Sequence, residues 1–171
     1  AIWEANLNTI IFDGNGSTEG IMTDVFGKTN ESITLPTHQY ERLGYTFIGW
    51  SNTPNGDVSY NDEDSYLFNH VQTVILYAVW EANVNTIVFN GNGSTSGEMP
   101  SINKKTDELI NLPKNEYERL GYTFMGWSNE SDGEVIYNDT EVYSITPESS
   151  VTLYAIWEAN LNTIIFDGNG S

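Results

Sequence analysis

The chain has no cysteine, so disulfides contribute nothing to its stability, and cysteine usage leaves its redox compartment open. Basic residues are scarce: 6 Lys plus Arg stand against 24 Asp plus Glu, for a net charge of −18. That balance argues against nucleic acid and anionic membrane surfaces as partners, since both attract basic protein. It favours solubility and repulsion between copies. No apolar run approaches the roughly 18 residues that a membrane-spanning helix needs, so no membrane insertion is expected in this segment. A signal peptide is also missing. The sequence opens at Ala1 in what reads as mid-strand, so we expect an internal segment with any targeting signal outside it.

What the chain does have is repetition. Trp3, Trp80 and Trp157 share a spacing of one repeat, as do Gly14, Gly91 and Gly168. The block Tyr40-Glu41-Arg42-Leu43-Gly44-Tyr45-Thr46-Phe47 returns at Tyr117-Glu118-Arg119-Leu120-Gly121-Tyr122-Thr123-Phe124 without an insertion. Self-similarity at such a period marks a repeat architecture. The expected organisation is the end of a preceding repeat at 1–5, one module at 6–82, a second at 83–159, and the first strand of a third at 160–171. Residues 1–17 are identical to 155–171. The copy between them departs, with Val84 for Leu7, Val88 for Ile11 and Asn90 for Asp13. A parent array whose true unit is a pair of modules would produce that pattern.

Within one module the apolar periodicity reads as strand. Thr9-Ile10-Ile11-Phe12 is a short β-branched run that stops at the turn cluster Asp13-Gly14-Asn15-Gly16. Ile33-Thr34-Leu35 ends at Pro36. Tyr45 to Trp50 follows Gly44, and strict alternation puts Tyr45 and Phe47 on one face and Ile48 and Trp50 on the other. Asn55-Gly56 signals a tight turn before a short strand at Val58 and Tyr60. Asn61 or Asp62 is placed to cap one helical turn through Phe68. Val74 to Trp80 is the last strand, with Leu76, Ala78 and Trp80 on one face and Tyr77 and Val79 on the other. The fold class is therefore mainly β (α+β). The stretches in which the modules differ most, 23–27 against 101–104 and 65–73 against 142–150, read as loops. The linker Glu81-Ala82-Asn83 is too short for free tumbling, which predicts an elongated, stiffly linked array.

The order of motifs is F-x-x-N-G, then L-P, then G-Y-T-F-x-G-W, then L-Y-A-x-W. It lies on Phe12, Asn15, Gly16, Leu35, Pro36, Gly44 to Phe47, Gly49, Trp50, Leu76 to Ala78 and Trp80. It recurs from Phe89 to Trp157. This resembles the Listeria–Bacteroides repeat, the module type of the B repeat of internalin B, found in arrays on bacterial surface proteins. The resemblance implies tandem β-grasp-like small modules in an extracellular, cell-wall or secreted setting. It also implies a spacer, stalk or adhesive role without catalysis.

A catalytic centre needs convergent titratable groups. His38 aligns with Asn115 and His70 with Pro147, so neither belongs to the shared design, and both read as solvated surface residues. Serine has no consistent histidine partner for a triad. Asp62-Glu63-Asp64, Asp139-Thr140-Glu141 and Asp13-Gly14-Asn15-Gly16 have two readings, oxygen ligands for calcium or turn chemistry in a solvated acidic loop. They lack the spacing of an EF-hand, and Asp13 becomes Asn90. Lys28 and Lys105 are equivalent; an exposed lysine is the simple reading and an isopeptide link to Asn the alternative. Asn-x-Ser/Thr occurs at Asn15, Asn30, Asn92, Asn129, Asn138 and Asn169 and is assigned no role. Asn15-Gly16 and Asn92-Gly93 are prone to deamidation. Tyr45, Trp50, Tyr77 and Trp80 suit a core, with a carbohydrate platform as the alternative; Trp80, beside the linker, is a candidate to pack between modules.

No catalytic, cofactor-binding or metal residue is therefore assigned, and no cofactor. The expected role is a non-catalytic structural repeat acting as a stalk, spacer or fibre-forming segment. Its partners are neighbouring repeats of the same chain and other copies end to end. The alternative is an adhesin module for a host protein or glycan. The segment Thr163-Ile164-Ile165-Phe166 lacks its partner strands, and a neighbouring copy or the continuing array is expected to order it.

Overall fold

A computed structural model describes residues 1–70, 73–147 and 150–167. The chain divides into two compact units, Ala1–Asn83 and Val84–Ser171. In the first, β1 (Leu7–Asp13), β2 (Val25–Lys28), β4 (Tyr45–Ser51) and β6 (Thr73–Ala82) form one sheet in the order β2-β1-β6-β4. Its two central strands, β1 and β6, run parallel, and the outer pairings are antiparallel. A two-stranded ladder of β3 (Ser32–Thr34) and β5 (Ser65–Leu67) stands apart. The second unit repeats this with β7 (Val84–Asn90), β8 (Ile102–Lys105), β9 (Leu109–Asn111), β10 (Tyr122–Ser128), β11 (Val142–Ser144) and β12 (Ser150–Ala159). Its sheet order is β10-β12-β7-β8, beside a β11-β9 ladder.

Among the described residues every regular element is a strand, so the mainly β reading stands and the α part of α+β does not. Where a helical turn was expected, Asp64 closes a tight turn instead. Its carboxylate accepts from the Asn61 backbone N–H at 2.6 Å and from the Asn61 amide at 3.1 Å. Glu63 sits at φ +61°, outside the helical region, and residues 65–67 then pair with β3. Asx side chains that cap helices also close turns, and here the turn wins.

Three other expectations change. The divergent stretches 23–27 and 65–73 contain β2 and β5 rather than loops only, and Val71 and Gln72 lie outside the described residues. Val58 and Tyr60 form no strand; Tyr60 makes a single bridge to Trp50. Strict alternation also fails in β4, where the register shifts between Phe47 and Gly49. This bulge leaves Ile48 outside and turns Phe47 and Trp50 to the same face, with ring centroids 5.0 Å apart. Gly49 carries the bend at φ +143°, and a Cβ there would lie 2.5 Å from Val58 Cγ1 and 2.7 Å from the Tyr60 carbonyl oxygen. Only glycine fits.

The core of the first unit gathers Ile10, Phe12, Leu35, Tyr40, Tyr66, Phe68, Leu76 and Ala78 around fully buried Trp50. Trp127 holds the same place in the second, among Ile87, Phe89, Leu112, Tyr143, Ile145, Leu153 and Ala155. The expected faces of the last strand hold, since Leu76 and Ala78 are buried and Trp80 packs against the same core. Residues 161–167 have no strand and are exposed; 168–171, with Gly168 and Asn169, lie outside the described residues.

Candidate functional site

In each unit the loop that follows the first strand joins three segments of the chain. Asp13 Oδ1 accepts from the Asn15 N–H at 2.8 Å and bends the chain back. Asn15, at φ +46°, then donates its amide to the carbonyls of Pro54 and Ala78, both at 2.8 Å. One side chain thereby ties the first loop, the turn after β4 and β6. In the second unit Asn92 donates to Ser131 at 2.6 Å and to Ala155 at 2.9 Å. Asn90 Oδ1 accepts from the Asn92 N–H at 2.8 Å. Asp13 and Asn90 thus do the same work through a side-chain oxygen, and the charge is incidental.

Around this loop lies a cleft. Trp80 donates its indole N–H to the Gly14 carbonyl at 2.9 Å and meets Phe47 edge-on at 5.8 Å. Trp80 therefore packs within its own unit. The Tyr40 hydroxyl donates to the Phe12 carbonyl at 2.7 Å, and burial first, then the charge of Asp13, push its pKa above the usual phenol value. Arg42 lies 3.9 Å above the Tyr45 ring, a cation–π stack, and Arg119 lies 3.8 Å above Tyr122. Among the described residues neither guanidinium pairs with a carboxylate, in a chain rich in acids. Arg42 borders two hollows. One, of about 490 Å³, is lined by Glu19, His38, Tyr45, Phe47 and Trp80 among others. The other, of about 370 Å³, reaches Asn15, Asn55 and Trp80.

His38 is not the solvated residue expected. It stacks on Phe47 at 4.0 Å, and its Nδ1 contacts Asp62 Oδ2. Asp62 also accepts from the Trp50 indole at 3.1 Å and from the His38 N–H. Sequence alone hides this because the partner lies 24 residues away and the second unit has Asn115. There Asp139 still accepts from the Asn115 N–H at 2.8 Å, while the buried Trp127 indole N–H finds no partner among the described residues. His70 is exposed, as expected.

Two further acids accept hydrogen bonds within the fold. Glu63 accepts from the Thr37 hydroxyl at 3.1 Å, and Glu141 accepts from the Asn138 N–H at 2.7 Å. Among the described residues no group of three or more His, Cys, Asp or Glu is placed to hold a metal ion. Lys28 and Lys105 are exposed. Of the aromatic candidates, Trp50 is fully buried and Phe47 packs against the core. Sequence reading missed the roles of Asn15 and Arg42; their recurrence at Asn92 and Arg119 is the signal that was available.

Two small β units, each with its own core and the same side-chain ties, define a tandem repeat protein. The chain matches the Listeria-Bacteroides repeat domain over residues 9–79 and 86–156 and belongs to that family. It is a repeat family of bacterial proteins and not a known enzyme family. Two similar proteins come from Evansella cellulosilytica. One, provisionally named a Gly-rich membrane protein, is 28% identical over 99% of this chain and 19% of its own length. The other, provisionally named a membrane protein, is 29% identical over 99% of this chain and 24% of its own length. The chain thus spans about a quarter or less of these relatives. No solved structure matches it. Among the described residues no helix is long and apolar enough to cross a membrane.

Proposed function

We propose that this chain is a non-catalytic structural segment of a bacterial surface protein, acting as a stalk or spacer. One observation carries the reading. A single residue, Asn83, separates β6 from β7, and it is tied down at both its backbone and its side chain. Its N–H donates to the Gly44 carbonyl at 2.9 Å, and its Oδ1 accepts from the Thr46 hydroxyl at 2.6 Å. Asn160 repeats both bonds with Gly121 and Thr123 after β12. A connection with so few soft dihedrals suits a stiff array rather than beads on a string. We read the mixed sheet, with parallel first and last strands at its centre, as a β-grasp-like arrangement that lacks the helix. The relatives named as membrane proteins support an envelope or extracellular setting. Neighbouring repeats, and other copies end to end, are the partners this role requires.

Arrays of two, four and six modules measured by small-angle scattering test the stalk. The maximum dimension is expected to grow linearly with module number. Growth nearer the square root of that number, the law of a flexible chain, overturns the reading.

The cleft around Arg42 favours a second reading, an adhesive module. A stacked guanidinium without an acid partner, flanked by aromatic rings, suits a host ligand that carries a carboxylate. A host glycan array probed with the wild type and Arg42→Ala decides it: hits that the variant loses support the reading, and an absence of hits removes it.

A further inference from the structure

We infer that, among the described residues, Asn55 is the site at which the folded chain deamidates spontaneously, a modification to which the other Asn-Gly pairs described are closed. Four such pairs fall among the described residues: Asn15-Gly16, Asn55-Gly56, Asn90-Gly91 and Asn92-Gly93. The reaction needs the asparagine side chain to swing onto its own backbone. The nitrogen of the following glycine attacks Cγ, the C–N bond of the amide breaks, and ammonia leaves. The resulting succinimide takes up water and opens to aspartate or isoaspartate. Solvent is the only co-reactant.

Three of the four amides are held away from that path. Asn15 and Asn92 each donate to two carbonyls on other segments, and the reactive rotamer breaks both bonds. Asn90 ends central strand β7 opposite Tyr154, its Oδ1 holds the Asn92 N–H, and Gly91 is buried. Asn55 differs on every count. It is exposed at the tip of the turn after β4, and among the described residues its side chain makes no hydrogen bond. The one restraint is local: the Gly56 N–H donates to the Thr53 carbonyl at 3.1 Å.

Exchanging the glycine disturbs the turn's hydroxyls. A Cβ at Gly56 would lie 2.3 Å from Ser51 Oγ and 2.5 Å from Thr53 Oγ1. Gly133 is crowded in the same way by Ser128, with its N–H on the Glu130 carbonyl at 3.2 Å. The residue before Gly133 is Asp132, the aspartate that deamidation would create at Asn55. The turn already accommodates aspartate, so that branch adds a negative charge to the cleft beside Arg42 and keeps the turn, whereas the isoaspartate branch lengthens the backbone there by one carbon.

The native chain, incubated at mildly alkaline pH and mapped by peptide mass spectrometry, tests this. A gain of one mass unit is expected at Asn55 roughly tenfold or more faster than at Asn15, Asn90 or Asn92, the factor set by the bonds those residues must break. In urea the four rates should converge, and Asn55→Ser should abolish the early gain. A native chain that reacts first at Asn15, Asn90 or Asn92, or equally at all four, overturns the inference.

Discussion

Asn15 shows how much of a small β unit can hang on one amide. Its two carbonyl partners belong to segments 39 and 63 residues away, so the bonds join what local sequence cannot. Replacement by alanine removes both bonds and leaves a Cβ residue without asparagine's tolerance of positive φ. We expect Asn15→Ala to lose about 2–4 kcal/mol in urea unfolding monitored by circular dichroism. Asn15→Asp keeps the shape but can donate to neither carbonyl, so it should be no milder. A loss under 1 kcal/mol for both would show that the loop is held by something else.

At the scale of the element, the two units show compensated exchange. Gly27 in β2 faces the ring of Phe68, and a Cβ on Gly27 would lie 2.1 Å from Phe68 Cε2. The second unit has Lys104 and Ile145 at these places, and Lys104 pairs with Glu108 at 2.9 Å. The smaller Ile145 leaves room for a side chain on the edge strand. Gly27→Lys alone should cost about 3 kcal/mol through overpacking, and Phe68→Ile alone about 1 kcal/mol. The double variant should recover at least about 1 kcal/mol of their sum. Strict additivity in a double-mutant cycle would refute the coupling.

The same elements show what can be read from sequence and what cannot. β1, β3 and β4 were legible because apolar, β-branched runs are bounded by Gly or Pro, and β6 because its apolar run is unbroken from Val74 to Trp80. β2 and β5 were not: they are four and three residues long and fall where the modules differ. Divergence there reflects pair exchanges such as Gly27 with Phe68, not loop character. The helical turn at 61–68 failed because an Asx cap and an Asx turn share one signature. The faces of β4 failed because a bulge has no periodicity of its own. In the site, the aromatic core was visible as alternation. The ties made by Asn15, Arg42 and His38 were not, since their meaning lies in partners brought together by the fold.

For the whole molecule, charge sets the response to pH. The chain is already at −18, and further ionisation adds only repulsion. Burial first, and then neighbouring groups, raise the pKa values of Tyr40 and Tyr66 in the folded state. A phenol with a raised folded pKa contributes stability that is complete below the unfolded value near 10. The unfolded chain ionises first, so that contribution falls as pH rises through the folded value. Urea midpoints should therefore be flat between about pH 7 and 9 and fall above that range, and Tyr40→Phe should flatten the fall. An unchanged alkaline slope in that variant would exclude Tyr40 as a source.

The parallel pairing of β1 with β6 also has a consequence for synthesis. A ribosome delivers β1 first, but its central partner begins only at Thr73, so each repeat waits almost its full length to close its sheet. When β6 does emerge, β7 of the next repeat follows it after a single residue, so a β1-like segment from the wrong repeat competes for the slot beside β6. Adjacent copies that differ at Leu7/Val84, Ile11/Val88 and Asp13/Asn90 are poorer substitutes for one another than identical ones. The exact copy, at 161–167, arrives only after the first sheet is complete. In a parent array that alternates two versions of the repeat, this spacing would act as a proofreading schedule, keeping interchangeable strands far enough apart in time that each finds its own sheet.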